Sequence, residues 1–130
     1  MIHSCQECGL CCMDTEMFIS ENEIKVILKK LKVEINPSDF CFLNTDGFYQ
    51  LKNVNGICYF FNKQECRCRI YEFRPKGCQF YPLVYDTYKR ECDIDKDCPN
   101  PKLIYPHKNS ILNTCLRLKN YLKNELELDI

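Results

Sequence analysis

Four cysteines fall within eight residues near the start of the chain, in the run Cys5-Gln6-Glu7-Cys8-Gly9-Leu10-Cys11-Cys12. Thiols crowded this closely oxidise and mispair unless something binds them. Cys5, Cys8 and Cys11 repeat a two-residue gap that lets both thiolates of a tight knuckle face one metal ion. The same spacing occurs in runs that hold iron–sulfur clusters. Gly9 follows the second cysteine, where such a knuckle calls for a positive φ. Cys11 and Cys12 are neighbours, so their side chains diverge. On a helix, Cys5, Cys8 and Cys12 would share a face within about 60° while Cys11 turned aside, so the four need not serve one centre. The pattern predicts a metal or iron–sulfur site and leaves the metal unnamed.

The rest of the composition narrows the donors. The 130 residues include 12 cysteines but only two histidines, His3 and His107. Any metal site is therefore dominated by thiolate, which suits iron–sulfur clusters or a four-cysteine zinc site. Twelve cysteines also admit a disulfide framework. Met1-Ile2-His3-Ser4 offers neither a basic n-region nor an apolar h-region, and the cysteine run favours bound, reduced thiols, so a cytoplasmic location is expected. Formal net charge is zero, from 18 basic and 18 acidic residues, which gives no electrostatic case for nucleic acid or an anionic membrane. No apolar run is long enough to span a bilayer. With 45% hydrophobic and 28% charged residues, residues 1–130 are expected to fold as one domain, small enough to gain from a metal staple.

A second concentration of chemistry runs from Cys66 to Pro82. Pro75 and Pro82 restrict its backbone, and Gly77 is expected to permit an unusual dihedral just before Cys78. The segment reads as a fixed irregular loop with one helical turn around Tyr71 to Arg74. Arg74 can donate hydrogen bonds to thiolate or sulfide, or pair with Glu72 or Asp86 at the surface. Cys92 and Cys98 follow, with Asp93, Asp95 and Asp97 between them. These carboxylates lack the spacing and closing glutamate of a calcium loop and read as solvated turn residues.

The elements that must position these thiols are short. Ser20-Glu21-Asn22-Glu23 is a capping box, and Ile24, Ile27, Leu28 and Leu31 form one apolar stripe behind it. A helix from Glu21 to Lys32 follows, its lysines on a solvated face. Phe40 to Leu43 and Phe48 to Leu51 read as a hairpin turning at Asp46-Gly47, with a second turn at Asn55-Gly56 before Ile57 to Phe61. A last helix is expected from about 109 to 127, with Ile111, Cys115, Leu118 and Leu122 in its stripe and Leu112 and Tyr121 broadening it. Cys41, between two phenylalanines, and Cys115, in that stripe, are assigned to the core, since cysteine packs as a small hydrophobe. The fold class is α+β: a small cysteine-rich, metal-centred domain with short β-hairpins, irregular ligand loops and two amphipathic helices.

Taken together, these residues resemble the YkgJ-type cysteine-cluster family of zinc- or iron-chelating domains. The matching pieces are Cys5-x2-Cys8-Gly9-Leu10-Cys11-Cys12, Gly56-x-Cys58, Cys68-Arg69-Ile70-Tyr71 with Arg74-Pro75, Cys78-x2-Tyr81-Pro82 and Cys98-Pro99. They reach to about Pro99 and leave the last helix outside. Many relatives carry glycine after the final Cys-Pro, where this chain has Asn100. The resemblance implies a bound metal and eight ligands: Cys5, Cys8, Cys11, Cys12, Cys58, Cys68, Cys78 and Cys98. Cys66 and Cys92 rank below them. Three functions are compatible: an iron–sulfur protein that carries electrons, with a redox protein partner, or delivers cluster or metal; a structural zinc module for interactions; and an enzyme with an open iron site. Thiol crowding favours iron–sulfur, of the 4Fe-4S type, over zinc. No catalytic residue stands out, and no methylase activity carries over from relatives that modify flagellin.

Overall fold

The computed structural model describes residues 12–130, so the expectations for Cys5, Cys8, Gly9 and Cys11 lie outside the described residues. The fold is α+β, with four helices and short antiparallel strand pairs among the described residues. Strand β1 (Phe18–Ile19) leads into helix α1 (Glu21–Lys30). The capping box forms as read: Glu23 N–H donates to Ser20 Oγ at 3.1 Å, and Ser20 N–H donates to Glu23 Oε1 at 2.9 Å. Ile24 and Ile27 are buried, while Lys25, Lys29 and Lys30 are exposed.

Helix α2 (Pro37–Phe40) runs directly into β2 (Cys41–Leu43), which pairs with β3 (Tyr49–Leu51) in the register Cys41↔Leu51 and Leu43↔Tyr49. The turn lies where expected. Gly47 has φ +88°, and Asn44 Oδ1 accepts the N–H groups of Asp46 and Phe48, each at 3.0 Å. β1 joins the other edge of β3 to make a three-stranded sheet, which the sequence did not suggest. Three further two-stranded ribbons follow: β4 (Asn53–Val54) with β5 (Ile57–Cys58), β6 (Phe61–Asn62) with β7 (Arg67–Cys68), and β8 (Leu83–Asp86) with β9 (Glu91–Ile94). Asn55 and Gly56, at φ +54° and +78°, make the tight turn of the first ribbon.

Between β7 and β8, Tyr71–Phe73 forms the expected single turn, but the supposed loop beyond it contains helix α3 (Lys76–Phe80). Pro75 at the N-cap explains the start, since a missing N–H costs nothing there. Helix α4 (Lys108–Asn124) closes the chain. Leu118 and Tyr121 are buried, but Leu112 is 65% exposed and does not belong to the apolar stripe.

Two clusters form the core. The first joins Ile19, Ile27, Phe40, Leu51, Phe60 and Ile70, with the fully buried Phe40 and Phe60 rings 5.1 Å apart. The second joins Leu83, Tyr105, Leu118, Tyr121 and Leu126. Glu23 ties them together: it accepts the Tyr121 hydroxyl, and its Oε2 accepts the Lys76 N–H at 2.5 Å. The capping glutamate of α1 thus also anchors α3 and α4. A disulfide joins Cys92 in β9 to Cys115 in α4 at the edge of the second cluster. Cys115 does pack against that cluster, but as half of a crosslink and not as a free small hydrophobe, and Cys92, ranked as a lower ligand, is its partner. Among the described residues, no helix is long and apolar enough to cross a membrane.

Candidate metal centre

Four predicted ligands come from four separate stretches of chain and line one small cavity of about 50 Å³: Cys12, Cys58, Cys68 and Cys78. Each arrives by a traceable local cause. Cys12 is carried in by the segment after it, where Met13 bridges Ile57 and the Asp14 N–H donates to Gly56 O at 2.7 Å. Asn53 then clamps that segment, its Oδ1 accepting the Thr15 N–H at 3.1 Å and its Nδ2 donating to Thr15 O at 2.9 Å. A side-chain amide here replaces the next rung of a strand ladder. Cys58 ends β5 and is 6% exposed. Cys68 ends β7 opposite Phe61, and the Arg69 N–H donates to Phe60 O at 2.7 Å, fixing the turn out of the ribbon. Cys78 lies in the middle of α3.

Gly77 serves this site differently from the expectation. It has no left-handed φ; a Cβ there would overlap the Met17 sulfur and lie 3.3 Å from Met17 Cγ. Glycine is needed because the Met17 thioether, itself part of the cavity wall, packs against the α3 backbone. Arg74 also lines the cavity. Its Nη1 donates to Tyr71 O at 2.8 Å, and its guanidinium carbon lies 4.2 Å from the Tyr71 ring centre. The surface pairing considered for Arg74 does not form, because Glu72 faces Arg67 at 3.8 Å. Met17 and Asn53 had no sequence signal, since neither lies in a spacing pattern; Tyr71 lay within the Cys68-Arg69-Ile70-Tyr71 motif, which gave no sign of its contact with Arg74.

Burial pushes the Cys68 thiol above its ordinary pKa, and the Ile70 backbone N–H, Arg74 and Arg69 pull it partly back. All three would stabilise a thiolate once a cation had replaced the proton. Burial likewise raises Cys41, opposed weakly by Lys52; its thiol donates to Pro37 O at 3.2 Å, in keeping with an inert core residue. Cys66 is exposed at the β6–β7 turn with φ +54°. Cys98 lies in the turn after β9, its N–H donating to Asp95 O at 3.2 Å, and is not among the residues lining the cavity. Asp95 is more than a solvated carboxylate, since its Oδ2 accepts the Tyr81 hydroxyl at 2.8 Å.

The donor chemistry of the cavity fits a soft or borderline metal: its described lining includes cysteines and no histidine, aspartate or glutamate. The four cysteines line one cavity, but among the described residues no three His, Cys, Asp or Glu side chains form a group able to hold an ion. Cys5, Cys8 and Cys11 precede Cys12 in the chain and are the remaining cysteines of the same motif.

Two short ribbons, the segment before β1 and helix α3 thus bring four cysteines to the wall of one cavity. The chain belongs to the CxxCxxCC family, described as "Putative zinc- or iron-chelating domain", whose model matches residues 4–121. The match runs into α4, beyond the Pro99 limit of the motifs alone. An uncharacterized protein of Methanocaldococcus jannaschii is 31% identical over 84 residues, which cover 62% of this chain and 44% of that protein. The chain thus spans less than half the length of this relative. No solved structure matches.

Proposed function

We propose that this protein binds an iron–sulfur cluster, of the 4Fe-4S type, and carries electrons or delivers cluster or metal. The observation that supports this most is the meeting of Cys12, Cys58, Cys68 and Cys78 around one apolar cavity. With Cys5, Cys8 and Cys11 adjoining in sequence, there are more thiols than a single zinc ion takes. When bound, such a cluster supplies reversible one-electron transfer. The chain's part is to hold it with thiolates, keep water away with Leu51, Phe60 and Ile70, and offset negative charge with Arg74.

Protein prepared anaerobically from iron-replete cells should be brown, contain acid-labile sulfide, bleach on reduction and give an electron paramagnetic resonance signal. Colourless protein with stoichiometric zinc and no sulfide would refute the proposal in favour of a structural zinc module.

A further inference from the structure

Beside the thiol-lined cavity lies a larger groove of about 800 Å³. The two share a wall, because Thr15, Met17 and Tyr81 line both. The groove is apolar along α4, where Leu118, Leu122 and Leu126 line it. Its described lining also holds five carboxylates, Asp14, Glu16, Asp46, Asp95 and Asp97, and no lysine or arginine. With 18 basic and 18 acidic residues in the chain, this is a local segregation of charge and not a consequence of net charge. Two lysines stand at its edge without lining it: Lys76 Nζ bonds Glu125 Oε1 and lies 5.7 Å from the Tyr121 ring centre, and Lys119 Nζ lies 5.9 Å from the Tyr85 ring centre, both rings belonging to the groove wall.

The carboxylates are not explained by the fold. Asp95 holds the Tyr81 hydroxyl, but Asp14, Glu16, Asp46 and Asp97 are exposed, and none of the four side chains makes a hydrogen bond or ion pair. An apolar floor with an acidic rim matches a partner surface of the opposite pattern. Its volume takes several side chains, which is too much space for a single bare cation. Complementary charge of this kind steers encounter and selects the partner, while the apolar floor holds it.

We propose that this groove docks a partner protein through a segment in which apolar side chains alternate with lysine or arginine. The inference rests on the electron-transfer or delivery reading, since a carrier must hold its acceptor close to its centre. The shared wall of Met17 and Tyr81 brings the docked segment alongside the thiol cavity.

The test uses the full chain with its metal and three labelled peptides: alternating leucine and lysine, the same with glutamate for lysine, and the same with serine for leucine. Fluorescence anisotropy at low and high salt reads binding, with Glu16→Gln/Asp46→Asn/Asp97→Asn as the rim variant. The leucine–lysine peptide should bind best, weaken with salt, and lose roughly tenfold in affinity to the rim variant. Equal binding to the rim variant, or equal binding of the serine–lysine peptide, overturns the groove. Metal and sulfide are measured on the same samples to separate the two claims. Brown, sulfide-bearing protein that ignores the peptide refutes the docking surface alone. Zinc protein that binds it keeps the surface and refutes the iron–sulfur reading.

Discussion

Replacing Gly77 by alanine sets two opposing effects against each other. Gly77 is the second residue of α3, and alanine is about 1 kcal/mol better than glycine inside a helix. Propensity alone therefore predicts stabilisation. Against this, the new methyl would overlap Met17 Sδ and approach Cγ at 3.3 Å and Cε at 3.7 Å. Because Cγ is also crowded, swinging the terminal methyl does not relieve the overlap; the whole Met17 side chain must move. Forced movement in a packed wall costs ~1–3 kcal/mol, so Gly77→Ala should be net destabilising by about 1 kcal/mol. In a Met17→Ala background the obstacle is gone, and the same substitution should stabilise by up to about 1 kcal/mol. The coupling between the two sites is then about 2 kcal/mol, well outside ordinary non-additivity. Urea unfolding of the four proteins measures it. Metal per chain should fall for Gly77→Ala alone, because Met17 and Cys78 line the same cavity. If Gly77→Ala stabilises equally in both backgrounds, the close approach of Met17 is not what requires glycine.

Burial, reinforced by Glu23, holds the Tyr121 hydroxyl well above its ordinary pKa of 10.0, so the folded chain keeps a proton that the unfolded chain loses in alkali. Stability should be unaffected by this group below about pH 10 and fall by up to ~1.4 kcal/mol per pH unit above it; Tyr121→Phe should flatten that slope, and an unchanged slope in alkaline urea titrations would remove Tyr121 as its source. Cys78→Ser should lose metal, because Cys78 faces the cavity, whereas Cys41→Ala and Cys115→Ala should retain it. Cys115→Ala should nonetheless cost about 2–4 kcal/mol in oxidised protein, as expected for loss of a crosslink, and far less after reduction of the parent; iron analysis and unfolding midpoints check both statements.

Some features were fixed locally and so were legible in the sequence. Ser20 with Glu23 and the 3.6-residue stripe specify α1 without help from the rest of the chain. Asp46-Gly47 and Asn55-Gly56 specify tight turns because few other residues tolerate positive φ. Cysteine number and spacing, with histidine scarce, pointed to thiolate chemistry before any fold was known. Tertiary packing decided the rest. Whether Gly77 served a dihedral or a close approach depended on Met17, 60 positions away. The pairing of Cys92 with Cys115 depended on β9 docking against α4, a non-local contact with no spacing rule. Glu23 looked complete as a cap, yet its carboxylate also holds Lys76 and Tyr121. Which cysteines line one cavity was likewise settled by the two ribbons, the helix and the segment that carry them, because motif spacing constrains neighbours in sequence and says nothing of neighbours in space.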